Sequence, residues 1–359
     1  MTTYILRRLL ISLPVIFGIL VAVFTITRIL PGDPCRAMLG EKATEAACAA
    51  FNVRYGFDQP IPVQFVRYLG QVATGDLGES IRFGIPVTEL LIERLPPTVE
   101  LALASLGIAT FFGIRLGVAA ATRRNSKRDV GTMIFANLGV SIPVFVLGLL
   151  LAYLFAIVLK GTPIALPSAG RYSPGTIPDE IAVVWGLGGL GGPIRVLLDF
   201  VSNMAIPNAI LTLRPDLLID ALAHLILPAI ALATIPMAVI ARITRSSLLD
   251  VLGSDYVRTA RAKGLTERQV VGTHALRNAL LPVVTVIGLS LGGLLSGAVL
   301  TETIFNFAGV GRTISEAITA RDYVVVQGFT VVVSVGYVLV NLLTDISYAY
   351  LDPRVRMDS

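Results

Sequence analysis

The stretch LPVVTVIGLSLGGLLSGAVLTETI, Leu281–Ile304, carries no charged side chain until Glu302. A helix crosses a bilayer core with about 20 mostly apolar residues, so this segment reads as a membrane span. Working outward, five further segments pass the same test: Leu9–Leu30, Val99–Ala121, Met133–Leu159, Leu222–Ile243 and Val324–Tyr350. The expected fold class is therefore all-α and polytopic, with six transmembrane helices. Composition agrees. Of 359 residues 54% are apolar and only 15% charged, and the mean hydropathy is +0.77. A soluble domain sits near a quarter charged. The net charge of +5 is then read by location along the chain, not as a nucleic-acid signal.

Lys/Arg bias in short loops orients such a chain. Arg7 and Arg8, the run Arg123–Arg128, the loop before Leu281, and Arg354 with Arg356 all fall on one side if the N-terminus is cytoplasmic. With six spans the C-terminus is then cytoplasmic too. This gives a cytoplasmic start and first span (1–30), an extracytoplasmic segment (31–98), a membrane-embedded core (99–350) and a cytoplasmic tail (351–359). Within the core, 161–221 is an extracytoplasmic loop and 244–280 a cytoplasmic one. The first span is longer than a signal peptide's apolar stretch and runs into Arg28 and PGDP without a small-residue cleavage site, so a retained helix is expected. The segment 181–201 is apolar enough to compete as a seventh span, but Arg195, Asp199 and its Gly/Pro cluster favour an interfacial or packed external element. Cys35 and Cys48 share one polar segment. The sequence leaves a disulfide and two free thiols both open there.

Two patterns imitate enzyme motifs. GLSLG, Gly288–Gly292, matches G-x-S-x-G, yet a serine nucleophile needs a sharp strand-to-helix turn and a nearby histidine. Here Ser290 lies within an apolar helix. Gly288, Gly292 and Ser296, and beside them Gly293 and Gly297, instead form small-residue ridges that let another helix approach. GLGGLG, Gly186–Gly191, matches G-x-G-x-x-G, but a dinucleotide site would also need a helix N-terminus and an acidic residue about 20 positions on, and Pro193 with an expected external location makes a flexible loop the default. No metal-ligand cluster and no G-x-x-x-x-G-K-[ST] phosphate loop occurs. The chain is expected to do no bond chemistry and to bind no cofactor, so any ATP and Mg²⁺ would belong to partner subunits.

The loop SDYVRTARAKGLTERQVVGTHALRNALLP, Ser254–Pro282, brings five Lys/Arg residues into this apolar chain. Ser254 is a candidate N-cap and Asp255 complements the helix dipole. A helix over DYVRTARAK would run about 13 Å and stop at Gly264 in the left-handed C′ position. Thr266 and Gln269 make a capping box for a second helix. Tyr256, Val257 and Ala260, ringed by Arg258, Arg261 and Lys263, suit a knob docked in a partner's groove. A basic loop on anionic headgroups is the plainer alternative.

That loop resembles the signature cytoplasmic loop of ABC importer permeases, Glu-Ala-Ala, three residues, then Gly. Aligned on Gly264, this chain has Arg258-Thr259-Ala260 at the triplet, a departure typical of the dipeptide/oligopeptide subfamily. YILRRLL…PGDP, SIPVF, ARITRSSLLDVLG, LTETIFNFAGVGR, ARDYVVVQG and NLLTDISYAYLDPRVR resemble that subfamily in order, over essentially the whole chain. Arg115 in GIRLG, and FNFAG without a tryptophan-proline pair, depart from it. The resemblance implies a type I importer permease fold in a bacterial or archaeal inner membrane. It also implies a coupling helix over Tyr256–Gly264 gripped by an ATPase. The implied partners are a second homologous permease, two ATPase subunits, an extracytoplasmic binding protein, peptide substrate and the bilayer. Related permeases also carry nickel chelates, glutathione-like compounds or sugars. A stand-alone secondary transporter would show a repeat, and none is evident.

Candidates for the pathway or its gate are Gly292, Ser296, Thr301, Glu302 and Asn306. For Glu302 the residues leave open a pathway-facing role or a structural salt bridge to Arg312 or Arg321.

Overall fold

A computed structural model describes residues 2–29, 34–40 and 42–351. The start of the PGDP turn and the tail with Arg354 and Arg356 lie outside the described residues. Among those described, all regular structure is helical apart from one isolated bridge, Glu79 to Pro86.

Helix α1 (Thr2–Ile29) is followed by the short α2 (Pro34–Leu39), α3 (Glu45–Tyr55) and α4 (Ile61–Thr74). Cys35 and Cys48 are bridged, with Cα atoms 5.4 Å apart, which staples α2 to α3. Helix α4 lays its apolar face on α1 and on the last helix, where Phe65 and Tyr68 meet Leu20, Phe24 and Val331.

Helix α5 (Val87–Ala121) starts a dozen residues before the expected Val99 and runs through Pro96 and Pro97. A proline removes the hydrogen bond to the carbonyl four residues back. The carbonyl so freed by Pro96, that of Ile92, accepts from Asn203 Nδ2 at 3.2 Å. This donor from a distant loop compensates the break.

The third expected span is not one straight helix. α6 (Lys127–Ser141) and α7 (Val144–Tyr153, continued by a π turn over Leu154–Val158) are bent by 95°. Pro143 causes this: it pushes Ile142 out of the helical region, to φ −88°, ψ 121°.

The second long connection holds α8 (Ile181–Val184), α9 (Pro193–Ser202) and α10 (Ala205–Leu211). Next come α11 (Pro215–Leu252), α12 (Asp255–Ala262) and α13 (Glu267–Gln269), then a π turn over Val270–Ala275 and α14 (Leu276–Ala279). α15 (Leu281–Gly297), α16 (Val299–Ile304), α17 (Val310–Thr319) and α18 (Tyr323–Leu351) complete the chain, so the expected fifth span is two pieces broken at Ala298.

Four of these helices are long and apolar enough to cross a membrane as they stand, or up to seven spans if each bent pair counts as one. The bent pairs include α9 with α10, at 106°, and 181–201 is divided between α8 and most of α9, so it is not one straight seventh helix.

The core is built on α5 against α11. Leu101, Ala102 and Leu106 pack with Leu225, Ala229 and Leu232, and Leu294 and Phe305 close the cluster from α15 and the turn after α16. Two glycines set how close α5 and α11 come. A Cβ on Gly113 would stand 2.8 Å from Ile240, and one on Gly117 2.6 Å from the Ala241 carbonyl.

Candidate functional site

Helix α12 sits at the end of α11 and carries the basic residues singled out above. Ser254 has the extended cap conformation, but its hydroxyl makes no capping bond. The stop is as expected: Gly264 has φ +79° and its N–H donates to the Arg261 carbonyl at 2.9 Å. Thr266 and Gln269 form the reciprocal capping box that opens α13.

The faces of α12 divide sharply. Val257 and Ala260 are buried, at 0% and 6% exposure. They pack on Ala121 from the end of α5, Leu248 of α11, and Val270, Ala275 and Ala279 of the following segment. These two residues therefore mount the helix on its own protein, instead of entering a partner's groove as part of the knob. The outward face carries Tyr256, Arg258, Thr259, Arg261 and Lys263, all exposed.

Two of these are held in position. The Tyr256 hydroxyl accepts from Asn278 Nδ2 at 2.7 Å, and Arg261 grips Glu267 through both oxygens, at 2.6 and 3.3 Å. That pair raises the Arg261 guanidinium and holds the Glu267 carboxyl below the usual carboxylate range. Arg258 reaches Asp255 within its own helix at 3.2 Å. The result is a short rod with a fixed base and a basic, tyrosine-bearing top.

At the far end of α15 the acidic candidate has a different setting. Glu302 is completely buried. Its Oε1 accepts from Thr98 Oγ1 at 2.6 Å and its Oε2 from the Arg312 N–H at 2.9 Å. Thr98 Oγ1 in turn accepts from the Val310 N–H at 2.8 Å. Glu302 and Thr98 thus satisfy the first free N–H groups of α17, where the helix dipole favours an anion. A Cβ on Gly309 would collide with both side chains. The ion pair to Arg312 or Arg321 considered above is not what forms. The Arg312 guanidinium bonds Glu316 at 2.8 Å and also Asn306, and Asn306 is exposed in the left-handed region at φ 53°.

Between α7, α11, α15 and α16 lies a cavity of about 400 Å³, mostly apolar. Pro236, Ser290, Gly293 and Thr301 are in its wall. Ser290, the decoy nucleophile, therefore faces open space, while Gly288 and Gly292 take Thr344 and Tyr337 of α18 against their backbones. The two small-residue ridges of α15 have separate uses, one for packing and one for a cavity wall. The side chain of Ser296 lies outside the described residues.

Comparison with known proteins accounts for this combination. Residues 113–357 match the model for the binding-protein-dependent transport system inner membrane component, and residues 1–102 match the N-terminal membrane-component model of the same systems. The chain is 42% identical to the dipeptide transport system permease protein DppB of Alkalihalophilus pseudofirmus, covering 99% of this chain and 100% of the relative. It is 41% identical to the di/tripeptide permease protein DppB of Pseudomonas aeruginosa and 43% identical to the dipeptide permease protein DppB of Escherichia coli, each with 99% of both chains covered.

This chain belongs to the binding-protein-dependent inner-membrane transport components.

As a member of that family it is a multi-pass membrane transport subunit and not itself an enzyme. Several residues that hold this permease together were missed from sequence. Glu100, 5% exposed, accepts the N–H groups of Ala205 and Ile206 at 3.0 and 2.6 Å, opening α10 as Glu302 opens α17. Asp322, fully buried, accepts from Ser80 Oγ at 2.7 Å, the Arg82 N–H at 3.0 Å and the Val325 N–H at 3.3 Å. Asp129 and Arg245 form a two-pronged ion pair at 2.7 and 2.8 Å that locks α6 to α11. Each joins segments far apart in sequence, and only Glu100, a lone acid in an apolar run, carried a local hint. Asp345 pairs with Arg8 at 3.0 Å and ties α18 to α1.

Proposed function

We propose that this chain is the transmembrane permease subunit of an ATP-driven importer for dipeptides and other short peptides. It would work beside a second homologous permease, two ATPase subunits that bind ATP and Mg²⁺, and an extracytoplasmic peptide-binding protein. The membrane is the cytoplasmic membrane of a bacterium or archaeon. Both termini and α12 face the cytosol, with α2–α4 and α8–α10 outside, as the distribution of basic residues supports. The peptide cargo rests on the full-length relatives, whose names specify dipeptides and tripeptides.

The observation that carries the reading is the mounting of α12. Its apolar face is anchored at the junction of α5 and α11, so force on its basic outer face passes directly into the most extensively packed helix pair. In this reading the ATPase grips Tyr256, Arg258 and Lys263, while Val257 and Ala260 transmit. Arg261 and Gly264 shape the turn. The apolar cavity beside Ser290, Gly293 and Thr301 forms one wall of the peptide path, and the second permease supplies the other. A wall with few polar groups lets peptides of many sequences pass without tight binding. Glu302 and Thr98 brace the outer rim, and Gly292 sets the α15–α18 spacing.

The test is recovery of the ATPase subunits with affinity-purified permease. Arg258→Glu combined with Lys263→Glu should sharply reduce recovery while the permease remains in the membrane. Undiminished recovery in high salt would count against docking and favour a headgroup-bound loop.

A further inference from the structure

At the α17 end of the molecule a second cavity, about 240 Å³, opens between the end of α1, the turn after α3, α4 and the first turns of α18. Its character is opposite to the first, for three arginines line it: Arg28, Arg54 and Arg67. The two carboxylates at its edge are already engaged. Glu79 faces Arg54 at 3.5 Å, and Asp76 accepts the Gly78 N–H at 2.9 Å. Arg28 gives Nε to Gln64 at 2.9 Å and lies over the rings of Phe24 and Phe57, at 4.8 and 5.1 Å.

Two buried donors in this wall are left over. Among the described residues, Arg28 Nη1 and the Tyr68 hydroxyl have no hydrogen-bond partner. Tyr68 is only 9% exposed, and burial pushes its phenol up to about 12, so it stays a donor. Buried polar groups in native proteins are almost always bonded, and an orphan costs about 1–3 kcal/mol. Two leftover donors, one of them on Arg28, with Arg67 beside them in the same wall, suit an anionic oxygen.

We infer that this cavity binds a phosphate ester oxygen through Arg28, Arg67 and Tyr68, and that the phosphate is the headgroup of an anionic membrane lipid. The source follows from the surroundings. Ile29, Ile61, Val63 and Val66 are all at least half exposed on the same two helices. On the two helices that line it, these apolar side chains set the basic cavity at the apolar–polar boundary, the level of lipid headgroups. This inference concerns the membrane-embedded chain alone and stands whether or not the cargo is a peptide.

The test is native mass spectrometry of the detergent-purified transport complex, offered phosphatidylglycerol or phosphatidylcholine. The wild type should retain phosphatidylglycerol preferentially. Arg67→Gln should lower that retention about tenfold, the equivalent of one charge-assisted contact. Arg67→Lys should keep most of it and Tyr68→Phe should lose part. Arg54→Gln should change little. A parallel arm adds inorganic phosphate and reads thermal stability. Stabilisation by phosphate that Arg67→Gln removes, without lipid retention, would keep the oxyanion site and overturn the lipid as its source. Equal retention of both lipids by the wild type, with no phosphate effect, would overturn the site altogether. That comparison needs no variant to fold.

Discussion

Gly264 is the residue on which the α12 turn depends. Its φ of +79° strains any residue with a Cβ, yet nothing lies within 4 Å of where that Cβ would be. The cost of substitution is thus conformational, about 1–2 kcal/mol for a β-branched side chain, and much less for asparagine, which tolerates the left-handed region. Gly264→Val should uncouple ATP hydrolysis from transport in reconstituted complexes, and Gly264→Asn should largely preserve coupling. Equal behaviour of the two variants would mean that the turn geometry is irrelevant.

Thr98 makes a second test at this scale. Thr98→Val removes a donor from the buried Glu302 and an acceptor from the Val310 N–H. A loss of about 1–3 kcal/mol per orphaned group should appear as a lower melting temperature. Glu302→Gln should also destabilise, because the amide has one accepting oxygen for the two donors, Thr98 Oγ1 and the Arg312 N–H, that the carboxylate accepts. The Glu267 carboxyl, held low by Arg261, adds stability that is complete above the ordinary carboxylate range and disappears as pH falls through its lowered value. Both partners are substantially exposed, so the effect is small. Protection of the 264–270 amides, corrected for the intrinsic pH dependence of exchange, should fall on acidification in the wild type and show a flatter pH profile in Glu267→Gln.

Among elements, the α5–α11 contact is the most exacting. Gly113→Val would drive a side chain into Ile240 and the Met237 carbonyl. Overpacking of a tight interface costs about 1–3 kcal/mol, so the yield of folded permease should fall. Gly107→Ala, six residues earlier in α5 with nothing within 4 Å, should be tolerated. The Asp129–Arg245 pair supplies a different signature. With Asp129 4% and Arg245 28% exposed, removing one partner costs less than the ~3–5 kcal/mol of a fully buried pair, whereas replacing both with apolar residues is often near neutral. Arg245→Met alone should therefore be worse than Arg245→Met with Asp129→Leu, judged by thermal stability.

These elements also mark how far the sequence could be read. Apolar runs revealed the long helices because twenty uncharged residues have few other stable settings. Capping chemistry at Thr266 and Gly264 is local, so it was legible residue by residue. The 95° bend at Pro143 was not, because proline is compatible with both a kinked span and a broken one, and the choice is made by what packs around it. The division of α12 into a buried and an exposed face was hidden for the same reason. Val257 and Ala260 look like docking residues until the ends of α5 and α11 are seen beneath them.

At the scale of the whole molecule, the proposed function makes the chain a lever. A basic handle is fixed at one end of the α5–α11 pair, and three buried carboxylates, Glu100, Glu302 and Asp322, pin the helix starts near the other. A mostly apolar cavity lies between. On the proposed function, motion imposed on this handle would reach the cavity wall through packed helices whose distant ends are held. That α12 is the handle is the central claim, and site-specific photo-cross-linking tests it directly. A photoreactive side chain at Arg258 should join the permease covalently to an ATPase subunit in the purified complex, with the yield changing on nucleotide binding. The same group at Thr303, exposed at the opposite end, should give no such adduct. ATPase subunits that co-purify yet cross-link at Thr303 and never at Arg258 would contradict the account.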